Sequence, residues 1–130
     1  MIPRPPVDER GEAATEMVLA VPVLMLLVFL VIQFGLWYHA NHVAEAAAQE
    51  GVRAARVVDG SAAAGQVRAA AFMGGAAPSL VRNTVVVAER TDEQALVEVT
   101  GALQSIVPGL HLPVHAEARS PVERFRGADE

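Results

Sequence analysis

Residues Met17–Tyr38 read MVLAVPVLMLLVFLVIQFGLWY, and this stretch decides the fold. Its 22 residues carry no formal charge. At about 1.5 Å per residue a helix of them spans roughly 33 Å, against roughly 30 Å of hydrocarbon in a bilayer. Fourteen are Val, Leu, Ile or Phe, which together favour insertion by on the order of 4–8 kcal/mol before the smaller costs of Pro22, Gln33 and Gly35. A core helix of a soluble domain fits poorly, because so short a chain has little protein with which to cover every side of such a helix. The run is therefore expected to cross a membrane once. Trp37 and Tyr38 at its end are expected to form an interfacial belt, since amphipathic rings settle at the headgroup level.

Downstream of the run the helical pattern continues through AEAAAQEGVRAARVV to Asp59-Gly60, a good helix end. One helix is expected over about residues 12–60, with the span 17–38 as its first half. In its outer half Ala40, Ala44, Ala47, Gly51 and Ala54 recur at alternating steps of four and three, a narrow seam along which another element can approach closely. That element is either the protein's own small domain or a neighbouring copy through self-association of the long helix. His39, His42 and Glu45 also recur every three residues. Steps of 100° separate the first and last around the helix, so they read as a polar collar rather than a metal site.

Past Gly60 the pattern predicts a short second helix over Ala62–Met73, capped by Ser61 and ended by Gly74-Gly75. The period then changes to two. Thr84–Arg90 and Ala95–Ala102 read as strands joined by a turn at Thr91–Gln94. After the turn at Pro108-Gly109, Leu110, Leu112, Val114, Ala116 and Ala118 alternate with polar residues, and Pro113 favours an edge position for this third strand. His111, His115 and Glu117 fall on its solvated face. The fold class is thus α+β: a single-pass membrane protein with one long N-terminal helix, a short second helix and a small antiparallel sheet of about three strands. In domain terms, a leader or tail (1–11) precedes the long helix, a small domain on the far side of the membrane occupies 61–122, and 123–130 form a flexible tail.

The head, MIPRPPVDERGEAATE, is polar and proline-rich, and is expected to be mobile up to about Arg10. A cleaved secretory signal is disfavoured: the apolar run is longer than the usual 7–15 residues, and Arg4 and Arg10 are balanced by Asp8, Glu9 and Glu12. Orientation does not follow from charge, because Arg4 and Arg10 before the run face Arg53 and Arg56 after it.

Composition narrows the function classes. Net charge is −5 and the arginines are scattered, which leaves no electrostatic footprint for nucleic acid. The chain has no cysteine, which removes disulfides, thiolate metal sites and thiol nucleophiles. No nucleophile–base pair, phosphate loop or metal spacing marks an enzyme, and no cofactor is expected.

Residues 10–58 resemble the TadE family of pilus-assembly proteins. Members typically show Arg-Gly, a Glu five residues after the Gly, an apolar span with an early Pro, and a small-residue stretch of the form AAxEGARAA. Here these are Arg10-Gly11, Glu16, Pro22, and Ala47-Ala48-Gln49-Glu50-Gly51-Val52-Arg53-Ala54-Ala55. Two positions depart from the related pattern: Glu12 follows the Gly where classical type IV prepilins favour an apolar residue, and Met17 follows Glu16 where some Tad pseudopilins have an aromatic. The resemblance implies a small pseudopilin of the tight-adherence, Flp-type pilus machine, with its N-terminus in the cytoplasm and its C-terminal domain outside. The lipid bilayer, other Tad pilus-assembly proteins or pilin subunits, and a prepilin-type peptidase are its implied partners. The peptidase would cut between Gly11 and Glu12, leaving Glu16 to set register during assembly. From the residues alone, the rival is a bitopic binding or sensor module with a small outer β-domain.

Overall fold

The computed structural model of the protein describes residues 2–3 and 9–124. Most of the leader, and the tail beyond Arg124, lie outside the described residues. A single helix, α1, runs over Glu9–Arg56 and includes Pro22. It is followed by α2 (Ala62–Ala76) and by strands β1 (Val81–Arg90), β2 (Gln94–Leu103) and β3 (Pro113–Pro121). The strands form an antiparallel meander in the order β1-β2-β3. The α+β architecture read from the sequence is the observed one.

Helix α1 starts and ends a few residues before the expected 12–60, and three further boundaries differ from expectation for a local reason. The second helix passes through Gly74-Gly75 to Ala76 instead of ending at Met73. What stops it is Pro78, whose ring disfavours helical backbone in the residue before it. At its start Ser61 is extended and its Oγ accepts the Ala64 N–H at 3.0 Å, as the cap reading predicts. Strand β1 starts three residues early, at Val81, because an irregularity between Arg82 and Val85, with Asn83 at φ +53°, lets pairing resume beyond it. Strand β3 is displaced toward the C-terminus, from the expected 110–119 to 113–121. Gly109 at φ +81° and the Leu110 N–H to Val107 C=O bond close a tight turn there, so residues 110–112 belong to the connecting loop.

Helix α2 doubles back along the outer half of α1, and the sheet lies across both. Ala40, Ala44, Ala47, Ala48 and Val52 of α1 meet Ala69 and Met73 of α2 and Val86, Val97, Val99, Val114 and Ala116 of the sheet in one core. The alternation is clean on β2, where Ala95, Val97 and Val99 are buried and their neighbours are not. Fully burying a valine such as Val97 contributes about 1.5–3 kcal/mol. On β1, Val86 points inward while Val85 and Val87 face outward and remain exposed.

The end of the domain far from the apolar run is fastened by polar contacts. The Glu123 N–H donates to the Arg56 C=O at 2.9 Å, and the Arg124 guanidinium donates to the Asp92 C=O at 2.9 Å. These two residues, expected in a flexible tail, are hydrogen-bonded to the domain.

Candidate functional site

The N-terminal half of α1 has no protein around it. From Met17 to Phe29 its large apolar side chains are exposed, and α1 is the one helix among the described residues that is long and apolar enough to cross a membrane. Such exposed side chains need a nonaqueous surrounding.

That bare surface ends on one side of the helix at Gln33. Gln33 is fully buried, and its Oε1 accepts the backbone N–H of Ile106 at 2.7 Å. The contact brings the β2–β3 loop (residues 104–112) alongside the apolar run, covering the one amide side chain in it. An amide left in hydrocarbon without a partner costs on the order of 2–7 kcal/mol. The loop thus satisfies the oxygen of the Gln33 amide, while Gln33 Nε2 is buried without a hydrogen-bond partner.

Trp37 and Tyr38, assigned together to an interfacial belt, are placed differently. Trp37 is half-buried and donates its Nε1–H to the Pro113 C=O at 2.8 Å, joining α1 to the start of β3. Tyr38 points away, exposed, with its ring edge-on to His42 at a centroid separation of 4.3 Å. Asn41, one turn above Trp37, presents its Oδ1 to the His115 N–H at 3.4 Å. His42 and Glu45 lie 3.4 Å apart on the exposed face.

The small-residue seam faces inward. Ala40, Ala44, Ala47 and Gly51 are buried and Ala54 is half-buried. A Cβ at Gly51 would lie 2.8 Å from the Gly65 C=O oxygen, 3.0 Å from the Ala69 Cβ and 3.1 Å from Val97. Gly51 and Gly65 thus permit α1 and α2 to touch backbone to backbone. Of the two elements considered for this seam, the protein's own domain occupies it.

Residues Gly11, Glu12 and Glu16 all lie on the first turns of α1 and are exposed. Thr15 Oγ1 donates to the Gly11 C=O at 2.9 Å. The bond between Gly11 and Glu12 is therefore in solvent, close to a helix end where fraying is easiest.

The sequence reading missed Arg90. From the end of β1 its guanidinium donates to the backbone carbonyls of Ala55, Val57 and Gly60. Those carbonyls crowd the C-terminus of α1, where the helix dipole favours a cation. Nothing in the local sequence pairs Arg90 with residues some 30 positions earlier; only the fold does.

On the solvated face of β3, His115 Nε2 is 3.1 Å from Glu98 Oε1. Arg119 donates to Glu117 at 2.6 Å, and this bond raises the guanidinium pKa above its ordinary value. Among the described residues no three His, Asp or Glu side chains gather as metal ligands.

The exposed apolar helix that continues into a domain-packed half is the decisive arrangement, and comparison with known families falls on that same helix. Residues 11–53 match the TadE-like protein family. The match begins at Gly11, contains the whole apolar run and stops three residues before α1 ends. The match covers about a third of the chain, and α2 and the sheet lie outside it. No curated protein and no solved structure matches the chain.

Proposed function

We propose that the protein is a TadE-like pseudopilin, held in the membrane by the first half of α1 and acting in assembly of a tight-adherence pilus or a related secretion system. The observation that carries this reading is the division of the TadE-like helix at Gln33. Before it the apolar side chains are bare, and after it one face is covered by the domain. Such a helix anchors through one half and presents a domain through the other. Its work is assembly rather than catalysis. In this reading the N-terminus lies in the cytoplasm, the domain of residues 61–122 lies outside, and a prepilin-type peptidase cuts after Gly11.

Because the seam Ala40, Ala44, Ala47, Gly51 and Ala54 packs on the protein's own domain, lateral contacts with pilin subunits or other Tad proteins fall to the apolar half of α1 and to the outer surface of the domain. Cleavage after Gly11 would free an amino group on Glu12 and leave Glu16 as the fifth residue of the mature chain. The Glu16 carboxylate of one subunit can then meet the ammonium of a neighbour. At about 4 Å and an effective dielectric of about 20 that attraction is roughly 4 kcal/mol. Desolvation offsets much of it, so the pair sets axial register more than stability.

The test is purification of the full chain from solubilised membranes of cells carrying the pilus locus, followed by mass spectrometry of its companions. Tad pilus-assembly proteins are expected. Recovery of a sensor kinase or a transporter in their place would favour the bitopic binding module.

A further inference from the structure

We propose that the β2–β3 loop, residues 104–112, is inserted among the lipids, so that the domain grips the membrane at a second point beside its own helix. The proposal rests on the reading of Met17–Tyr38 as a membrane span.

The first argument is one of height. Hydrocarbon begins on α1 at Met17, directly after the Glu16 carboxylate. From there to Gln33 a helix rises about 25 Å, some 5 Å less than the roughly 30 Å that the hydrocarbon occupies. Any tilt of the helix shortens that projection further. Ile106, hydrogen-bonded through its N–H to the Gln33 side chain, therefore sits below the outer edge of the hydrocarbon. On other faces of α1 near this level, Ile32 is 45 % and Phe34 49 % exposed, as expected of side chains that meet lipid.

The second argument is the chemistry of the loop. Ile106 is 48 % exposed although it is one of the largest apolar side chains in the domain, and Pro108 at the turn is exposed as well. From Val99 to Ala116 the chain contains no Asp, Glu, Lys or Arg, and neither does Ala69–Val81, whose end joins the loop through the Gln104 N–H to Leu80 C=O bond of 2.8 Å. Charge collects at the opposite end of the domain, where Glu89, Arg90, Asp92 and Glu93 surround the β1–β2 turn. Apart from Arg82, which pairs with Ala102 beside the loop, the domain is polarised along α1, with its less charged end toward the span.

The third argument concerns loop backbone groups bonded within the protein, each of which lowers the cost of leaving water. The Ile106 N–H is taken by Gln33, the Leu110 N–H by the Val107 C=O at 3.2 Å, and the Leu103 N–H by the Leu112 C=O at 3.0 Å. Ser105 Oγ also donates to the Val107 C=O at 2.6 Å, and Pro108 has no N–H to satisfy. Gln33 thus serves both partners: the loop covers its amide, and its amide takes up the Ile106 N–H at the tip of the loop.

The absence of cysteine makes the test direct. Ile106→Cys, Pro108→Cys, Phe29→Cys and Asp92→Cys are each prepared in the full chain, labelled with an environment-sensitive fluorophore and reconstituted in phosphatidylcholine–phosphatidylglycerol vesicles. Quenching by brominated lipids then reports depth. The expected result is strong quenching of the Phe29 probe by bromines deep in the acyl chain, quenching of the Ile106 and Pro108 probes by shallow bromines with blue-shifted emission, and none at Asp92. Probes at 106 and 108 that behave like the one at 92, while the one at 29 is quenched, would overturn the loop proposal and leave the span standing. An unquenched probe at 29 would overturn the span and the loop proposal with it.

Discussion

Gln33 and Ile106, separated by 73 positions in sequence, are joined by a 2.7 Å hydrogen bond between the Gln33 carboxamide and the Ile106 backbone. The bond ties the apolar run to the near end of the sheet and fixes where the domain begins along α1. Gln33→Leu removes the acceptor and leaves the Ile106 N–H buried and unpaired, at a cost of about 1–3 kcal/mol. Amide exchange at Ile106 should accelerate while the chain stays in the membrane fraction. Unchanged exchange would mean that the loop is held by other contacts.

Gly51 is a point of backbone contact between the two helices. Because a Cβ there would press on the Gly65 carbonyl and on Ala69, Gly51→Ala should lower domain stability by about 1–3 kcal/mol, and Gly51→Leu by more. Thermal unfolding of the detergent-solubilised chain measures the loss, and membrane insertion of both variants should be normal. A Gly51→Leu protein that unfolds at the wild-type temperature would contradict the packing of α2 on α1.

Arg90 closes the C-terminal end of α1 by donating to three carbonyls. Arg90→Ala should cost about 1.5–3 kcal/mol, the range for hydrogen bonds to a charged group. Lysine would keep the charge but lose the planar fork, so Arg90→Lys should recover only part of the loss. Equal stability of the Lys variant and wild type would reduce the role to simple charge near the helix end.

These sites differ in how far the sequence revealed them. The apolar run, the outer half of α1, the Ser61 cap and three strands were legible because each is a local pattern: an uncharged run, a capping residue, a period of two. The seam was legible as a set of small side chains, yet the sequence left two occupants for it, because small residues permit close approach without naming what approaches. Gln33 stood out only as a cost within the apolar run; its partner is a backbone N–H, which every residue but proline carries. Arg90 was invisible for the same reason, as its acceptors are carbonyls brought near by the turn after α1. The early end assigned to α2 came from trusting Gly74-Gly75 as a stop, when Pro78 was the stronger one.

The Gly11–Glu12 bond lies exposed on the first turns of α1, which suits an enzyme that must unwind its substrate locally. Mass spectrometry of the membrane-extracted protein from cells with an intact pilus locus should show Glu12 as the first residue, and the uncut chain for Gly11→Ala. An N-terminus at Met1 or Ile2 in both would remove cleavage from the account. If the chain is cut, Glu16→Gln should be processed normally and assemble poorly.

The central proposal is that the protein is a membrane-anchored, TadE-like component needed to build a pilus. Surface pili counted by electron microscopy in a strain deleted for the chain, and in the same strain re-expressing it, measure this most directly. The account predicts loss of pili on deletion and their return with the intact chain; a deletion strain with wild-type pilus numbers would contradict it.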